Sequence, residues 1–173
     1  MTQWRYVKYG EKYFDSVKVF FAILTACYFF YYSATLGQWH VIDNINTIFH
    51  EAGHTLFMFF GQFLKILGGT IFQILVPVIL CAYFYANAKY YSASMLLFWV
   101  GQSIMQVSVY VGDAVSMKLV RLGGESFTHD WNYLLNVWGI LPLAQPIAES
   151  IFLIAVVIYV YALYSAVRLS LER

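Results

Sequence analysis

Residues His50, Glu51, Ala52, Gly53 and His54 read H-E-A-G-H. On a helix, positions four apart share a face, so the two imidazoles converge on one cation and the glutamate projects beside them. This is the chemistry of a zinc hydrolase: nitrogen ligands for the metal, and a carboxylate, Glu51, to take a proton from water activated near neutral pH and pass it to a leaving group. A catalytic zinc usually keeps three protein ligands and one open position, so a third ligand is needed. The candidates are Asp130, His129, Asp113 and His40. Around the motif, Asn46, Thr47, His50, Glu51 and His54 recur at intervals of three and four, a polar ridge on an otherwise apolar helix. Ionisable groups in such a helix are costly in lipid unless they face protein or water, which marks the ridge as functional.

The elements that must position these groups belong to a membrane protein. With 61% apolar residues, 20% aromatics, 11% charge and a mean hydropathy of +0.66, the 173 residues carry too little polar surface for a water-soluble globule. The expectation is an all-α integral membrane protein with one domain over residues 1–173. The net charge of +1 argues against a nucleic-acid partner and leaves the lipid bilayer as the surround. Cys27 and Cys81 lie in separate apolar stretches and read as free thiols, too few and too far apart for a thiolate zinc site. The N-terminal segment is basic, but no small-residue cleavage site follows the next apolar run, so no removable signal peptide is expected.

Apolar runs cover 17–36, 45–66 with the motif, 70–87 with Pro77, 92–111 and 147–167, each long enough to cross the hydrocarbon core. The Gly68-Gly69 pair is read as the turn after the motif run, and 116–130 as a polar loop. The run 131–145 is short and ends between Pro142 and Pro146, which suits a re-entrant or interfacial helix. The expected architecture is therefore a bundle of about five transmembrane helices plus that short one. Five alternating crossings place seven of the ten Lys and Arg residues on the N-terminal side, which makes the N-terminus cytoplasmic.

The same alternation bears on the third ligand. A motif helix entering near Asn44 puts His50 roughly 9 Å and His54 roughly 15 Å below the non-cytoplasmic boundary, whereas Asp113 falls about 30 Å down, at the opposite face. Asp130 is preferred because the loop and short run that hold it can dip inward; its neighbour His129 is the close rival and Asp113 the third choice. Each also has a structural role open to it: Asp130 as a helix N-cap, Asp113 as a solvated helix end, His40 as an interfacial residue beside Trp39.

At this point the chain resembles the site-2 protease family, the intramembrane zinc metalloproteases. The resemblance rests on residues 47–61 with H-E-A-G-H in a transmembrane helix, and more loosely on the G-G-T-I-F-Q stretch from Gly68 to Gln73. It implies His50 and His54 as zinc ligands, Glu51 as the catalytic residue and an aspartate from a later segment as third ligand. The family's Asp-Gly pair preceded by Asn and Pro does not occur here, so the resemblance leaves Asp130, His129 and Asp113 open. These residues also hold nothing that could form the regulatory PDZ domain of many members, which points to a divergent minimal branch. What the resemblance implies is hydrolysis of a peptide bond in or near the transmembrane segment of another protein, unwound locally to expose its backbone. Asn132, Asn136, Gln102 and Gln106 are polar groups available to bind such a strand or to bond between helices. Gly68, Gly69, Gly123 and Gly124 are candidates for mobile loops at the site's opening. Two other classes use the same residues: a non-catalytic metal-binding membrane protein (transporter, sensor or partner), and a zinc hydrolase acting on a lipid or small molecule. Concentration of the ionisable groups on one helix, rather than along a pathway through several, weighs against a transporter.

Overall fold

The computed structural model describes residues 6–9, 12–119 and 129–172. Its body is helical: α1 Ser16–Ala34, α2 Val41–Leu56, α3 Gln62–Ala86, α4 Tyr90–Gly112, α5 Asp130–Val137 and α6 Ala144–Arg168. Short strands β1 Tyr6–Tyr9, β2 Lys12–Asp15 and β3 Leu171–Glu172 form an antiparallel sheet in the order β1-β2-β3, a feature the all-α reading of the sequence did not contain. Asp15 ends β2 and caps α1, its carboxylate accepting from the amides of Val17 and Lys18 at 3.1 and 3.3 Å.

Four helices among the described residues are long and apolar enough to cross a membrane: α1, α3, α4 and the stretch Leu141–Arg168 that contains α6. The motif helix is not one of them. The sequence reading ran it from 45 to 66; α2 instead has 16 residues and stops at Leu56. After a single 3₁₀ turn, Gly61 adopts φ 87°, ψ 166°, backbone that only glycine takes without strain, and α3 starts at Gln62. Gly68 and Gly69 make no turn; they lie buried inside α3. Pro77 is also within α3. The expected loop 116–130 is irregular over its first residues, while Asp130 opens α5; residues 120–128, with Arg121, Gly123 and Gly124, lie outside the described residues.

Side-chain pairings fix the helix directions. Tyr91 donates to the carbonyl of Lys18 at 2.7 Å, and Phe29 stacks on Phe98, so α1 and α4 run the same way. Gln102 donates to Asp43, Asn46 donates to Gln102 and Gln106, and His50 packs by Tyr110, so α2 also runs with α4. On α3, Gln73 faces His50 and Lys65 faces His54, which makes α3 antiparallel to both. The chain thus descends through α1 and then α2, joined by residues 35–40 level with the middle of α4, rather than reversing between them. This overturns the premise of the depth argument. His54 and Asp113 lie towards the same end of the bundle, and Asp130 needs no deep excursion to reach the motif. The pairing of Phe14 with Leu171 puts the start of α1 and the end of α6 together at the other end.

The core follows from small residues. One face of α6 carries Ala148, Ala155, Ala162 and Ala166, all buried, and Gly101 of α4 lies against the ring of Tyr159. Where lipid surrounds helices, such small residues let backbones approach and make van der Waals packing the source of association. Phe29, Phe98, Met105 and Tyr159 fill the α1–α4–α6 interior.

Candidate metal centre

α2 puts His50 and His54 one turn apart on one face, and its pairing with α3 presses that face close. A methyl group on Gly53 would collide with the carbonyl oxygen of Gly68, and one on Gly69 would lie 2.6 Å from Cε1 of His54 and 2.8 Å from Nε2 of His50. Glycine at these positions lets the two backbones, and the imidazoles between them, come as near as they do. The third group arrives from α5. His129 caps that helix, its Nδ1 accepting from the amide of Asn132 at 3.2 Å, and Asp130 is its first residue.

Asp130 Oδ2 lies 2.8 Å from His50 Nε2 and 3.2 Å from His54 Nε2. One atom from each of the three residues lies within 4.8 Å of the others, so His50, His54 and Asp130 are able to hold a metal ion. The donor set fits one. Both Nδ1 atoms point away from the cluster, that of His50 to Gln73 Oε1 at 3.0 Å and that of His54 to the Lys65 carbonyl at 2.9 Å, leaving both Nε2 atoms directed inward. Ligands 2.0–2.1 Å from one tetrahedral ion stand about 3.3 Å apart; the Asp130–His54 separation of 3.2 Å matches this, and the Asp130–His50 separation of 2.8 Å would open by about half an ångström. Burial works against ionisation of Asp130, but the His50 and His54 imidazoles beside it outweigh that and hold its pKa below the ordinary carboxylate value, so its carboxyl is in the ionised, ligand form.

Glu51, the residue after the first histidine, is exposed and lines a cleft of about 700 Å³ that also reaches His50, His54 and Asp130. Its lining includes Asp43, Asn44 and Thr47 of α2 and Gln106, Val109 and Tyr110 of α4, with Gly37, Gln38 and Trp39 from before α2 and Lys118 and Leu119 from beyond α4.

The other sequence candidates are placed outside the cluster. Asp113 accepts from the amides of Lys118 and Leu119 at 2.8 and 2.9 Å and lies 3.4 Å from His129 Nε2; the two join the end of α4 to the start of α5. His40 precedes α2, its Nε2 3.0 Å from Thr35 Oγ1 and its amide donating to Asp43 at 2.8 Å. Gln102 and Gln106 bond to Asn46, while Asn132 donates to the Ala114 carbonyl and Asn136 to that of Asn132. Sequence reasoning missed Gln73 and the Lys65 carbonyl, and read Gly69 as part of a turn at the site's opening. The signal for Gln73 and Gly69 was present: they stand four apart in G-G-T-I-F-Q, one face of a helix rather than a turn. Comparison of the chain with models of known families, with curated proteins and with solved structures gives no match.

Proposed function

We propose that the protein is an intramembrane zinc metalloprotease that hydrolyses peptide bonds in or near the transmembrane segments of membrane-protein substrates. The observation that carries this reading is the convergence of His50, His54 and Asp130, with Glu51 beside them on an open cleft. Two imidazole nitrogens and one carboxylate form a donor set that suits zinc, and a bound zinc would supply Lewis acidity, making water a nucleophile near neutral pH and polarising a carbonyl. Asp130 and the two histidines would hold the ion. Glu51 is not among those ligands; from the cleft wall it is the group to accept a proton from the attacking water and return it to the departing amine.

The dimensions of the cleft favour a polypeptide. From Asp43 to His54, α2 lines it over about 16 Å. An extended strand of about five residues spans the same length. A substrate segment would have to unwind there, because a hydrogen-bonded helix hides its scissile carbonyl from attack.

Orientation follows from charge. Among the described residues, Lys8, Lys12, Lys18, Lys89 and Arg168 belong to the end of the bundle that carries the sheet, against Lys65 and Lys118 at the metal end. Lys65 and Lys118 leave the group assigned from sequence and Lys89 and Arg168 join it, yet the positive-inside bias still makes the N-terminal side cytoplasmic. The candidate centre then faces the opposite leaflet.

The test is zinc content and cleavage of a transmembrane peptide by purified protein, with and without Glu51→Gln. Zinc in both forms and cleavage by the wild type alone support the reading. Zinc in both with neither cleaving any peptide offered would indicate a metal-binding protein instead, and cleavage of lipid esters alone would change the substrate class.

A further inference from the structure

We infer that Gln73 is a positioning residue for the metal, fixing the proton of His50 on Nδ1 so that Nε2 is the atom given to the ion; this rests on the metal centre proposed above. The two histidines differ in how this is achieved. His54 Nδ1 faces the Lys65 carbonyl, a group that can only accept, so that nitrogen must carry the hydrogen. His50 Nδ1 faces a side-chain amide, which can present either oxygen or NH₂. If Gln73 turned its NH₂ to His50, Nδ1 would have to accept, the proton would reside on Nε2, and the ligand position would be blocked.

The surroundings remove that freedom from two sides. Gln73 Nε2 is 3.3 Å from the carbonyl of Ser103, an acceptor only, so the nitrogen must face α4 and the oxygen must face His50. Independently, the Trp99 indole can only donate, and it donates to Asn46 Oδ1 at 2.8 Å. Asn46 must then turn its NH₂ to Gln102 and Gln106, at 2.6 and 2.8 Å, and Gln106 must answer with Oε1. That same Oε1 accepts from Gln73 Nε2 at 3.0 Å. A chain of fixed donors and acceptors therefore runs from Trp99 through Asn46, Gln106 and Gln73 to His50. Asn46, Gln102, Ser103 and Gln73 are buried, where each unpaired polar group is penalised, so reversal of any one amide breaks several bonds at once.

Gln73→Met keeps length and packing and removes the acceptor; Gln73→Glu, in its protonated form, still donates to Ser103 and accepts from His50. We expect zinc affinity, measured by competition with a chromophoric chelator, to fall 10- to 100-fold in Gln73→Met and to stay within about threefold of wild type in Gln73→Glu. The cobalt-substituted protein should show a shifted d–d spectrum in Gln73→Met alone. Thermal unfolding of the metal-free forms reports packing separately. Wild-type affinity in Gln73→Met overturns the inference and leaves the metal centre standing; so does an equal loss in both variants that follows a lowered metal-free unfolding temperature. A wild-type protein that binds neither zinc nor cobalt overturns the centre itself, and the role of Gln73 with it.

Discussion

The interface of α4 with α6 and the interface of α4 with α2 and α3 are built from one helix and opposite materials. Towards α6, α4 offers Gly101 and apolar side chains, and the partner answers with alanines and Tyr159. Towards α2 and α3 it offers Trp99, Gln102, Ser103 and Gln106, which bond to Asn46, Asp43 and Gln73. The first holds helices together by closeness. The second holds a helix at a set orientation while leaving an open cleft beside it, which dispersion alone does not do because apolar groups close any gap they can. One side of α4 is for cohesion, the other for direction.

That contrast can be broken from either side. The largest effect is expected from Glu51→Gln, which should lower peptide hydrolysis by roughly 10² to 10⁴ with zinc stoichiometry and unfolding temperature unchanged, as read by steady-state rates and metal analysis. Next, Gly69→Ala pushes a methyl group into both imidazoles and should weaken zinc binding about tenfold or more, with a smaller change in the unfolding of the metal-free protein. Its counterpart in the dry interface is Gly101→Ala, whose methyl would come 2.6 Å from the Tyr159 ring. Overpacking there should cost about 1–3 kcal/mol in thermal or denaturant unfolding and leave zinc affinity alone. A swap of these two outcomes would mean that the faces are not separable. Tyr159→Phe sharpens the picture further: its buried hydroxyl has no hydrogen-bond partner among the described residues, so removal should leave stability unchanged or raise it by up to about 1 kcal/mol.

The smallest effect concerns pH. Burial works against ionisation of Asp113, but the Ser116 hydroxyl and the amides of Leu119 and Lys118 outweigh it and hold its carboxyl below the usual value. A group with a depressed folded value stabilises fully above its unfolded pKa, about 4, and loses that contribution as pH falls through the folded value. Protection of the Lys118 and Leu119 amides against hydrogen exchange should therefore decline on acidification below about pH 4, and Asp113→Asn should abolish the dependence.

The all-α class with helices long and apolar enough to cross a membrane, the positions of α1, α4 and α6, and the shared face of His50 and His54 with Glu51 beside it were legible because each is local: run length, apolar content and a spacing of four. Asp130 was reached as the favoured ligand by a route the fold does not follow. Alternation of crossings is a rule about neighbours, and it fails where α1 and α2 descend in sequence. Only long-range pairings such as Asn46 with Gln106 reveal that. Gly68 and Gly69 were misread for a similar reason. A glycine pair signals a turn or a close approach, and which of the two applies depends on a facing helix, here the one carrying Gly53. Gln73 escaped notice because an amide in an apolar run acquires meaning only from what it faces.

The strand pairing of Phe14 with Leu171 gathers both ends of the described chain about 28 Å, the rise from Tyr91 to Tyr110 along α4, from the candidate centre. A reporter, tether or control module joined at either end would sit at the far end of the bundle from the candidate metal centre. Any message between them must travel as a shift of whole helices, with α4 the common shaft.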